Sequence, residues 1–506
     1  MKVRLRRPAV AASAHSPVSS PFAVPSSDAA AGIPPEQLGS ILAQLEKKEH
    51  LRQPTAWVKE VCKEHLWSKQ RVIMNSVRDH RKTAVPSCHG SGKSFLAARI
   101  AAWWLSCHVP GEAFVVSSAP TGRQVRTILW REIGRIHAKA HLIGRTNQTE
   151  WMLTMPEGNE EIVAFGMKPD DMSPTAFQGI HARFVLVIFD EACGIASPLW
   201  NAADSLLSND DARMLVIGNP DLPDVEFHQV CKAGSGWNVI PISAFDTPNF
   251  TGEPIPEALR HNLVGKLWVE EKRRKWGEEN PFWKSKVLGQ FPDVATDGLI
   301  PMKWIMAAQA RELLPGLPHE LGVDVGGGGN KSVYCERQGG HYRIIRRDNT
   351  PDTMETCGNL LGILMDRKTK NPLNPITAAK VDEIGIGRGV VNRAAELKHH
   401  EVKGVNVGRS AKDKLHFANL KAEGWWNLRE SFQQGLVDID PLDDDIAAQL
   451  VDLKYKRTSA GQIQMESKDE IKRRGKPSPD DADALMLASL DKYGNTEIIV
   501  HEAVWG

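Results

Sequence analysis

A glycine-rich stretch near residue 90 constrains the fold of this 506-residue chain more than any other feature. Residues 87–94 read Ser-Cys-His-Gly-Ser-Gly-Lys-Ser and nearly fit the phosphate-binding pattern G-x-x-x-x-G-K-[ST]. In that pattern backbone N–H groups converge on phosphate, the lysine reaches the terminal phosphates and the hydroxyl helps to hold Mg²⁺. Lys93 and Ser94 are in place, whereas Ser87 stands where the pattern has glycine. The stretch therefore predicts a P-loop, with a ligand-free glycine-rich turn as the alternative.

An apolar run at residues 95–105 predicts the helix that follows such a loop. Because the loop is the phosphate cradle of ATP-binding domains, ATP and Mg²⁺ are the predicted ligands. The predicted nucleotide-binding residues of the loop are Ser87, His89, Gly90, Gly92, Lys93 and Ser94.

A second motif is an apolar segment that ends in two acids. Residues 183–189 are rich in valine, isoleucine and phenylalanine, and Asp190 and Glu191 follow directly. A carboxylate at the carboxyl end of a buried strand is where the magnesium shell of a bound nucleotide is met. We therefore predict that Asp190 contacts Mg²⁺ and that Glu191 polarises the attacking water. An acidic strand-to-loop turn is the alternative, and the order of the two motifs disfavours it.

Two further apolar segments, at residues 113–118 and 213–218, predict additional strands of the same kind. Continuous apolar strands are buried on both faces, which implies a parallel sheet flanked by helices. Asn219 follows the last of these strands within Gly-Asn-Pro. A polar residue at this position is predicted to sense the γ-phosphate.

The second half of the chain carries separated acidic positions. Asp324 is predicted to lie in the middle of a strand before a glycine-rich turn, and Asp382 at the end of another strand. Acids that different elements bring together repel one another unless cations lie between them. A turn aspartate without a metal is the alternative for Asp324.

A helix near residue 480 supplies the remaining acids. Ser478 is predicted to cap it and Pro479 to be its first residue, so that Asp480 and Asp483 share one face. Compensation of the helix dipole by first-turn acids is the alternative reading. Oxygen-only ligands favour Mg²⁺ or Mn²⁺, and two such ions suit phosphodiester cleavage. The predicted metal ligands are Asp324, Asp382, Asp480 and Asp483, with Ser94 and Asp190 for the nucleotide-bound ion.

Composition limits the other possibilities. The chain is 41% hydrophobic and 25% charged, as soluble globular proteins are, and no apolar run approaches the ~20 residues that span a bilayer. Seven scattered cysteines without a C-x-x-C pair indicate neither a disulfide framework nor a zinc site. The net charge of +1 leaves any DNA contact to local basic patches. The basic runs at 272–275 and 472–474 are candidates, with solvated surface as the alternative.

The chain resembles the large terminase subunits of tailed bacteriophages over roughly residues 55–490, because the ATP motifs precede the acidic series in the family's order. The resemblance implies an α/β chain with a P-loop ATPase domain at 37–245, a lid or junction at 246–314 and a ribonuclease H/RuvC-like nuclease domain at 315–493. Residues 1–36 and 494–506 are expected to be tails, the first disordered. The 286–291 stretch resembles the family's junction between motor and nuclease.

The resemblance also assigns roles to residues. Gln70 corresponds to the adenine motif, and Lys93 and Ser94 correspond to Walker A. Asp190 and Glu191 correspond to Walker B, while residues 218–220 correspond to the coupling motif. The expected catalytic residues are Glu191, Asp324, Asp382 and Asp483.

There are departures from the family pattern. His89 stands where many members carry an arginine thought to touch phosphate, so that charge is expected from elsewhere, with Arg126, Arg131 and Arg135 as candidates in a neighbouring subunit. Asn330 stands where a further acid is often found, which implies a leaner metal shell.

The implied activity is ATP-driven translocation of double-stranded viral DNA into a procapsid and metal-dependent cutting of concatemeric DNA into genome units. The implied partners are a portal protein, a small terminase subunit and further copies in a homo-oligomeric ring, with no membrane. The implied location is the cytoplasm of the infected bacterial host, transiently at the portal, without secretion. Alternatives are a helicase or translocase without nuclease activity, a RuvC-like resolvase fused to an ATPase, and a structural capsid-associated protein.

Overall fold

Two β-sheets with flanking helices organise the computed structural model of the chain. The structure describes residues 35–155, 158–167, 182–223, 225–292, 298–327 and 329–490, with side chains from residue 43 onward. Apart from residues 35 and 36, which begin a helix, the two expected tails lie outside these ranges. In the described part of the chain, no helix combines the length and hydropathy needed to cross a membrane.

The first sheet has eight strands among the described residues, in the order β3-β4-β5-β2-β6-β7-β1-β8. The strands are β1 (Lys82–Pro86), β2 (Ala113–Ser118), β3 (Arg145–Thr146), β4 (Glu150–Thr154), β5 (Glu160–Met167), β6 (Phe184–Asp190), β7 (Arg213–Gly218) and β8 (Asn238–Val239). The strands from β5 to β8 in this order pair in parallel, which confirms the predicted sheet. The antiparallel extension β3-β4-β5 is an addition that the apolar segments did not reveal.

Helices cover this sheet because the three predicted strands present apolar side chains on both faces. The α-helices of this half of the chain are α1 (Pro35–Arg52), α2 (Pro54–Glu60), α3 (Ser68–Asp79), α4 (Lys93–Cys107), α5 (Gly122–Gln124), α6 (Arg131–Lys139), α7 (Ser197–Leu206), α8 (Glu226–Val230), α9 (Pro248–Thr251), α10 (Glu257–Arg260) and α11 (Lys266–Trp276). The P-loop joins β1 to α4, as predicted, and α4 buries nearly its whole length against the sheet.

The second sheet has five strands in the described residues, in the order β11-β10-β9-β12-β13. They are β9 (His319–Asp324), β10 (Ser332–Gln338), β11 (His341–Asp348), β12 (Ala378–Asp382) and β13 (Val402–Val405), and a separate hairpin pairs β14 (Tyr455–Arg457) with β15 (Ile463–Met465). The first three strands are antiparallel, whereas β12 and β13 run parallel to β9. This topology is that of the predicted ribonuclease H-like fold.

The helices of the second half are α12 (Met302–Ala310), α13 (Thr353–Lys370), α14 (Gly387–Glu396), α15 (Leu420–Gln433), α16 (Asp444–Asp452), α17 (Lys468–Arg473) and α18 (Asp480–Ser489). Helix α18 lies directly on β9, because Gly322 has no side chain there. A Cβ at Gly322 would overlap the carbonyl oxygen of Ala484 and lie against Ala488. This close approach brings the acids of α18 to the carboxyl end of β9.

Two sequence-based expectations about this half were wrong. Asp324 is the last residue of β9 rather than a mid-strand residue. The helix begins at Asp480 with Pro479 as its N-cap, so Ser478 does not cap it and Pro479 is not its first residue. Because Pro479 has φ −83° and ψ 53°, its backbone has not yet entered the helix. The domain boundaries proposed from sequence stay predictions.

Candidate functional site

The predicted nucleotide-binding loop is held by the strands beneath it. The Ser87 N–H donates to the Gly218 carbonyl at 2.9 Å, and the Asn219 side-chain amide donates to the Ser87 carbonyl at 2.7 Å. Gly90 and Gly92 have φ of +64° and +83°, a left-handed conformation that glycine adopts without strain. The loop therefore turns tightly, with Lys93 as the first residue of α4.

The functional groups of this loop meet those of the neighbouring strands. Lys93 Nζ donates to Asn219 Oδ1 at 3.2 Å and lies 3.6 Å from a carboxylate oxygen of Glu191. The Ser94 hydroxyl donates to Asp190 Oδ2 at 2.7 Å. The structure therefore brings together the predicted lysine, hydroxyl, Walker B acids and coupling asparagine at the carboxyl ends of β1, β6 and β7.

Glu191 is held in an unusual backbone conformation. Its φ of 50° and ψ of 48° are left-handed, which costs a non-glycine residue about 1–2 kcal/mol. Gly218 permits this turn, because a Cβ there would lie 2.7 Å from the Ala192 nitrogen and 3.0 Å from Glu191. Strain of this kind is found where side-chain direction matters for function.

The pKa values of the two acids assigned to Walker B are shifted in opposite directions. Burial and the adjacent Glu191 raise the pKa of Asp190 to about 6. Desolvation would also raise the pKa of Glu191, but Lys93 and Lys286 together lower it. The acid assigned to water activation is therefore the one kept ionised by two nearby ammonium groups.

Gln70 and His89, both predicted to contact nucleotide, also reach this site. Gln70 is buried, and its Nε2 lies 3.5 Å from the Ser91 carbonyl of the loop. The His89 ring stacks on Trp268 with centroids 5.8 Å apart. Burial, followed by Lys93 and Lys286, lowers the pKa of His89 to about 4. His89 is therefore neutral near pH 7 and supplies no phosphate-binding charge there.

The arginines considered as trans-acting cations lie elsewhere on the surface. Arg126, Arg131 and Arg135 are exposed, and Arg135 pairs with Glu132 at 2.6 Å. Their proposed role depends on a neighbouring subunit, so it stays a prediction.

The four predicted metal-binding aspartates meet at one end of the second sheet. Asp324 and Asp382 end β9 and β12, and Asp480 and Asp483 lie in the first turn of α18. Burial and then the charge of Asp483 raise the pKa of Asp324 to about 8. Asp480 and Asp382 contribute to the same shift. The acids are therefore close enough to perturb one another electrostatically.

Two lysines that the sequence reasoning missed enter this carboxylate cluster. Lys421 Nζ lies 2.9 Å and 3.1 Å from the two carboxylate oxygens of Asp483. Burial would lower the pKa of Lys468, but Asp324, Asp483, Asp480 and Asp382 raise it, in that order. Neither lysine carries a motif, and only the folded topology brings them to the acids. Both lysines bring positive charge to the aspartates.

The donor chemistry of the carboxylate cluster fits a divalent cation. Asp480 Oδ1 is buried without a hydrogen-bond partner, and Asp483 Oδ1 faces Lys421 without hydrogen-bond geometry. As their side chains stand, however, no three histidine, cysteine, aspartate or glutamate residues of the described part surround one point closely enough to hold an ion. Metal binding would therefore require the side chains to turn inward and Lys421 to release Asp483.

The two basic runs considered for DNA binding are largely committed to other contacts. Lys272 and Lys275 both contact Asp445 of α16, at 2.5 Å and 2.7 Å. Arg474 pairs with Glu466 at 2.6 Å, whereas Lys472 and Arg473 are exposed. The first run joins α11 to the second half of the chain. Asn330 lies in the loop between β9 and β10, and the leaner metal shell that it implies stays a prediction.

Comparisons with known proteins find one family and one curated relative to which the chain is similar. The family described as "Terminase large subunit, T4likevirus-type, N-terminal" matches residues 88–247. A curated relative, the "Probable terminase, large subunit" of Enterobacteria phage P7, is 24% identical over 449 residues, which cover 84% of this chain and 88% of the relative.

Two solved structures are similar to the chain at low overall superposition. The large terminase of a thermophilic bacteriophage has a TM-score of 0.41 and 14% identity, covering 84% of this chain and 98% of that one. The nuclease domain of the large terminase subunit of bacterial virus Sf6 has a TM-score of 0.32 and 16% identity, covering 39% of this chain and 100% of that domain.

Proposed function

We propose, from the confirmed resemblance of this chain to large terminase subunits, that it is the ATP-hydrolysing motor and metal-dependent endonuclease of a DNA-packaging system. It would translocate double-stranded DNA into a procapsid and cut concatemeric DNA into genome units. The observation that carries the proposal is the coexistence of two acidic centres in one chain. One lies beside a P-loop lysine, and the other closes a ribonuclease H-like sheet.

The motor proposal assigns roles to the residues of the first site. Lys93 would bind the terminal phosphates of ATP, and Ser94 and Asp190 would hold Mg²⁺. Glu191, fixed in its left-handed turn, would orient the attacking water. Asn219 contacts both Lys93 and the backbone of Ser87, so loss of the γ-phosphate would be transmitted to the loop after β7.

The nuclease proposal assigns Asp324, Asp382, Asp480 and Asp483 as the residues that would hold Mg²⁺ or Mn²⁺. When bound, such ions supply Lewis-acid stabilisation of charge on the phosphodiester oxygens. The aspartates of this chain would orient the ions, and Lys421, once displaced from Asp483, would face the phosphate of the substrate.

Three exposed cations of the second half of the chain form the proposed contact surface for DNA. Arg388, Arg409 and Lys414 are exposed and make no ion pair with another described residue. The Leu420 N–H donates to the Arg409 carbonyl at 2.8 Å, immediately before Lys421 reaches the acids. Four aspartates repel a phosphate backbone, so uncommitted cations at their border would be needed to hold it.

This surface can be tested by salt-dependent binding of duplex DNA in Ca²⁺, measured by fluorescence anisotropy. Removing all three cations by alanine substitution should lower the slope of log K against log salt by about 0.9 per lost phosphate contact. The control removes three other exposed lysines of the same half, Lys368, Lys398 and Lys403. Equal slopes for both variants would contradict the placement.

The partners and location that the family implies belong to the same proposal. They are a portal protein, a small terminase subunit and further copies of the chain in a ring, in the cytoplasm of an infected bacterium. No sequence-reading element is needed in this chain if the small subunit selects the cut site.

The full-length protein provides the test of the whole proposal. We expect DNA-stimulated ATP hydrolysis, and cleavage of plasmid DNA in Mg²⁺ or Mn²⁺ without ATP. An Asp324→Ala/Asp382→Ala variant should keep the first activity and lose the second. Retained cleavage in that variant would favour a translocase without its own nuclease, and a preference for branched junctions would favour a resolvase.

A further inference from the structure

The nucleotide site lacks a second phosphate-facing cation within its own loop. Lys93 is charged and central, but His89 is neutral near pH 7 and packs on Trp268. Hydrolysis of a nucleoside triphosphate benefits from additional fixed positive charge near the phosphoryl group that is transferred. A second cation would therefore have to come from outside the loop.

Lys286 lies next to this loop although it is almost 200 residues away in sequence. Its carbonyl accepts a hydrogen bond of 2.7 Å from the His89 N–H. Three residues later, Gly289 is so close to the loop's support that a Cβ there would overlap the Ile242 carbonyl oxygen and lie 3.1 Å from the Cys88 nitrogen. The backbone around Lys286 is thus packed rigidly against the P-loop.

The Lys286 side chain is only 13% exposed and points among acids. Its Nζ donates to Asp221 Oδ2 at 3.3 Å, and the Ser285 hydroxyl donates to the other oxygen of Asp221 at 2.7 Å. Asp221 follows Asn219 and Pro220 in the loop that ends β7. The contact therefore joins the junction segment to the proposed coupling loop.

Three carboxylates compensate the buried charge of Lys286. Burial would lower the pKa of its ammonium, but Asp221, Asp444 and Glu191 raise it above its usual range. Asp444 belongs to α16 of the second half of the chain, whereas Glu191 is the proposed water-orienting acid. The ammonium is therefore charged, and carboxylates from both halves of the chain stabilise this charge.

We propose that Lys286 is a positioning residue of the ATPase site, whose ammonium fixes Asp221 below the Asn219 loop and adds a second positive charge next to the P-loop. It acts through Asp221, and it does not need to touch the nucleotide. The inference rests on the proposed ATPase function and adds a residue that no phosphate-binding pattern includes.

The test compares steady-state ATP hydrolysis by full-length wild type, Lys286→Met and Lys286→Arg. Because a small misplacement of a water-orienting group can cost about 100-fold, Lys286→Met should lower kcat by roughly 10- to 100-fold. KM and the calorimetric affinity for ATPγS should change by less than about threefold, since Lys93 and the loop still bind the phosphates. Lys286→Arg, which keeps the charge, should recover most of kcat.

Two controls separate positioning from general damage. Lys284→Met removes a neighbouring charge from the same turn and should leave kcat unchanged. Asp221→Asn should lower kcat similarly, and combining it with Lys286→Met should add little, because the two groups act as one unit. A fully folded Lys286→Met protein with wild-type kcat would overturn the inference, as would equal losses in the Met and Arg variants.

Failure of the inference can be told apart from failure of the proposed function. If wild type hydrolyses ATP and Lys93→Ala does not, the motor assignment stands whatever Lys286→Met shows. If wild type itself lacks hydrolysis with DNA present, the function is wrong and with it the role of Lys286.

Discussion

The two acid-rich centres of this chain differ in how their charges are balanced. Beside the P-loop, Lys93 and Ser94 contact the two carboxylates at the end of β6 directly. In the carboxylate cluster four aspartates share two lysines, and Asp480 Oδ1 is buried without any hydrogen-bond partner. The first centre is therefore ordered by its own polar groups, whereas the second is left with excess negative charge.

The two centres therefore differ in the charge that they need from a ligand. A site whose cations belong to the chain can fold before its ligand arrives, and ATP adds to an existing cradle. A site with uncompensated buried acids carries a desolvation penalty that protonation or added cations reduce. Changes at the first centre should therefore affect turnover, and changes at the second should also affect how metal alters stability.

The largest expected effect is at the carboxylate cluster. Asp324→Asn changes one of the proposed metal ligands. Even the loss of a residue that only hydrogen-bonds a metal ligand typically lowers metal affinity or activity 10- to 100-fold. We expect cleavage of duplex DNA in Mn²⁺ to fall more than about 100-fold, with ATP hydrolysis unchanged. Asp366→Asn, on the exposed side of α13, is the matched control. Parallel loss of both activities would mean that the two centres are not separable.

The second largest effect is expected at the P-loop, where ATP hydrolysis should be lost and DNA cleavage retained. Lys93→Ala removes the ammonium that contacts Asn219 and Glu191, so ATP hydrolysis should fall about 100-fold, as expected when a preorganised charge is removed. Metal-dependent cleavage without ATP should persist. Both rates can be measured on one preparation, and a Lys82→Ala variant at the far end of β1 serves as control. Loss of DNA cleavage in Lys93→Ala, with cleavage retained in Lys82→Ala, would contradict the proposed independence of the two centres.

The sequence predicted which side chains lie together beside the P-loop because these residues stand at fixed offsets from strand ends. The apolar run before Asp190 and the glycine pattern before Lys93 are local signals, and local geometry alone places them. It also identified the second set of acids, since each one ends a strand or begins a helix. The alternating segments predicted the central parallel strands for the same reason.

The remainder depended on tertiary contacts that leave no local signal. Lys421 and Lys468 look like ordinary surface lysines until α15, α17 and α18 bring them to the acids. Lys286 begins the 286–291 stretch that resembles the family's junction. The hydrogen bond from the His89 N–H to its carbonyl, which places it next to the P-loop, leaves no trace in the sequence. Asp324 was expected in mid-strand because the valine that follows it is apolar, whereas the glycine-rich turn already begins there.

A third prediction concerns metal and stability. Because folded carboxylates bind a cation that the unfolded chain does not, Mn²⁺ at about 100 times its Kd should add about 2.7 kcal/mol to the free energy of unfolding of this half of the chain. Thermal unfolding with and without Mn²⁺, in the absence of nucleotide, measures this. A double Asp324→Asn/Asp483→Asn variant should show no such gain. A gain of equal size in that variant would place the cation elsewhere.

The smallest effect tests how the second centre is assembled. Gly322→Ala puts a methyl group into the backbone of α18, and overpacking of this kind costs about 1–3 kcal/mol. Gly358→Ala in the middle of α13 is the matched control, because nothing lies within 4 Å of its added Cβ and helix propensity should give about 1 kcal/mol of stabilisation. The two Gly→Ala substitutions should therefore change the free energy of unfolding in opposite directions.

The Gly322→Ala variant also tests how the two activities depend on the packing of α18. Helix α18 carries Asp480 and Asp483, so the Gly322 variant should lose DNA cleavage by more than its stability loss explains, at temperatures where it is fully folded. ATP hydrolysis should stay at the wild-type rate, since Lys93 and the Walker B acids are positioned by the strands of the other sheet. Should Gly322→Ala cut DNA normally while remaining as stable as wild type, the close packing of α18 on β9 would not be what positions the acids.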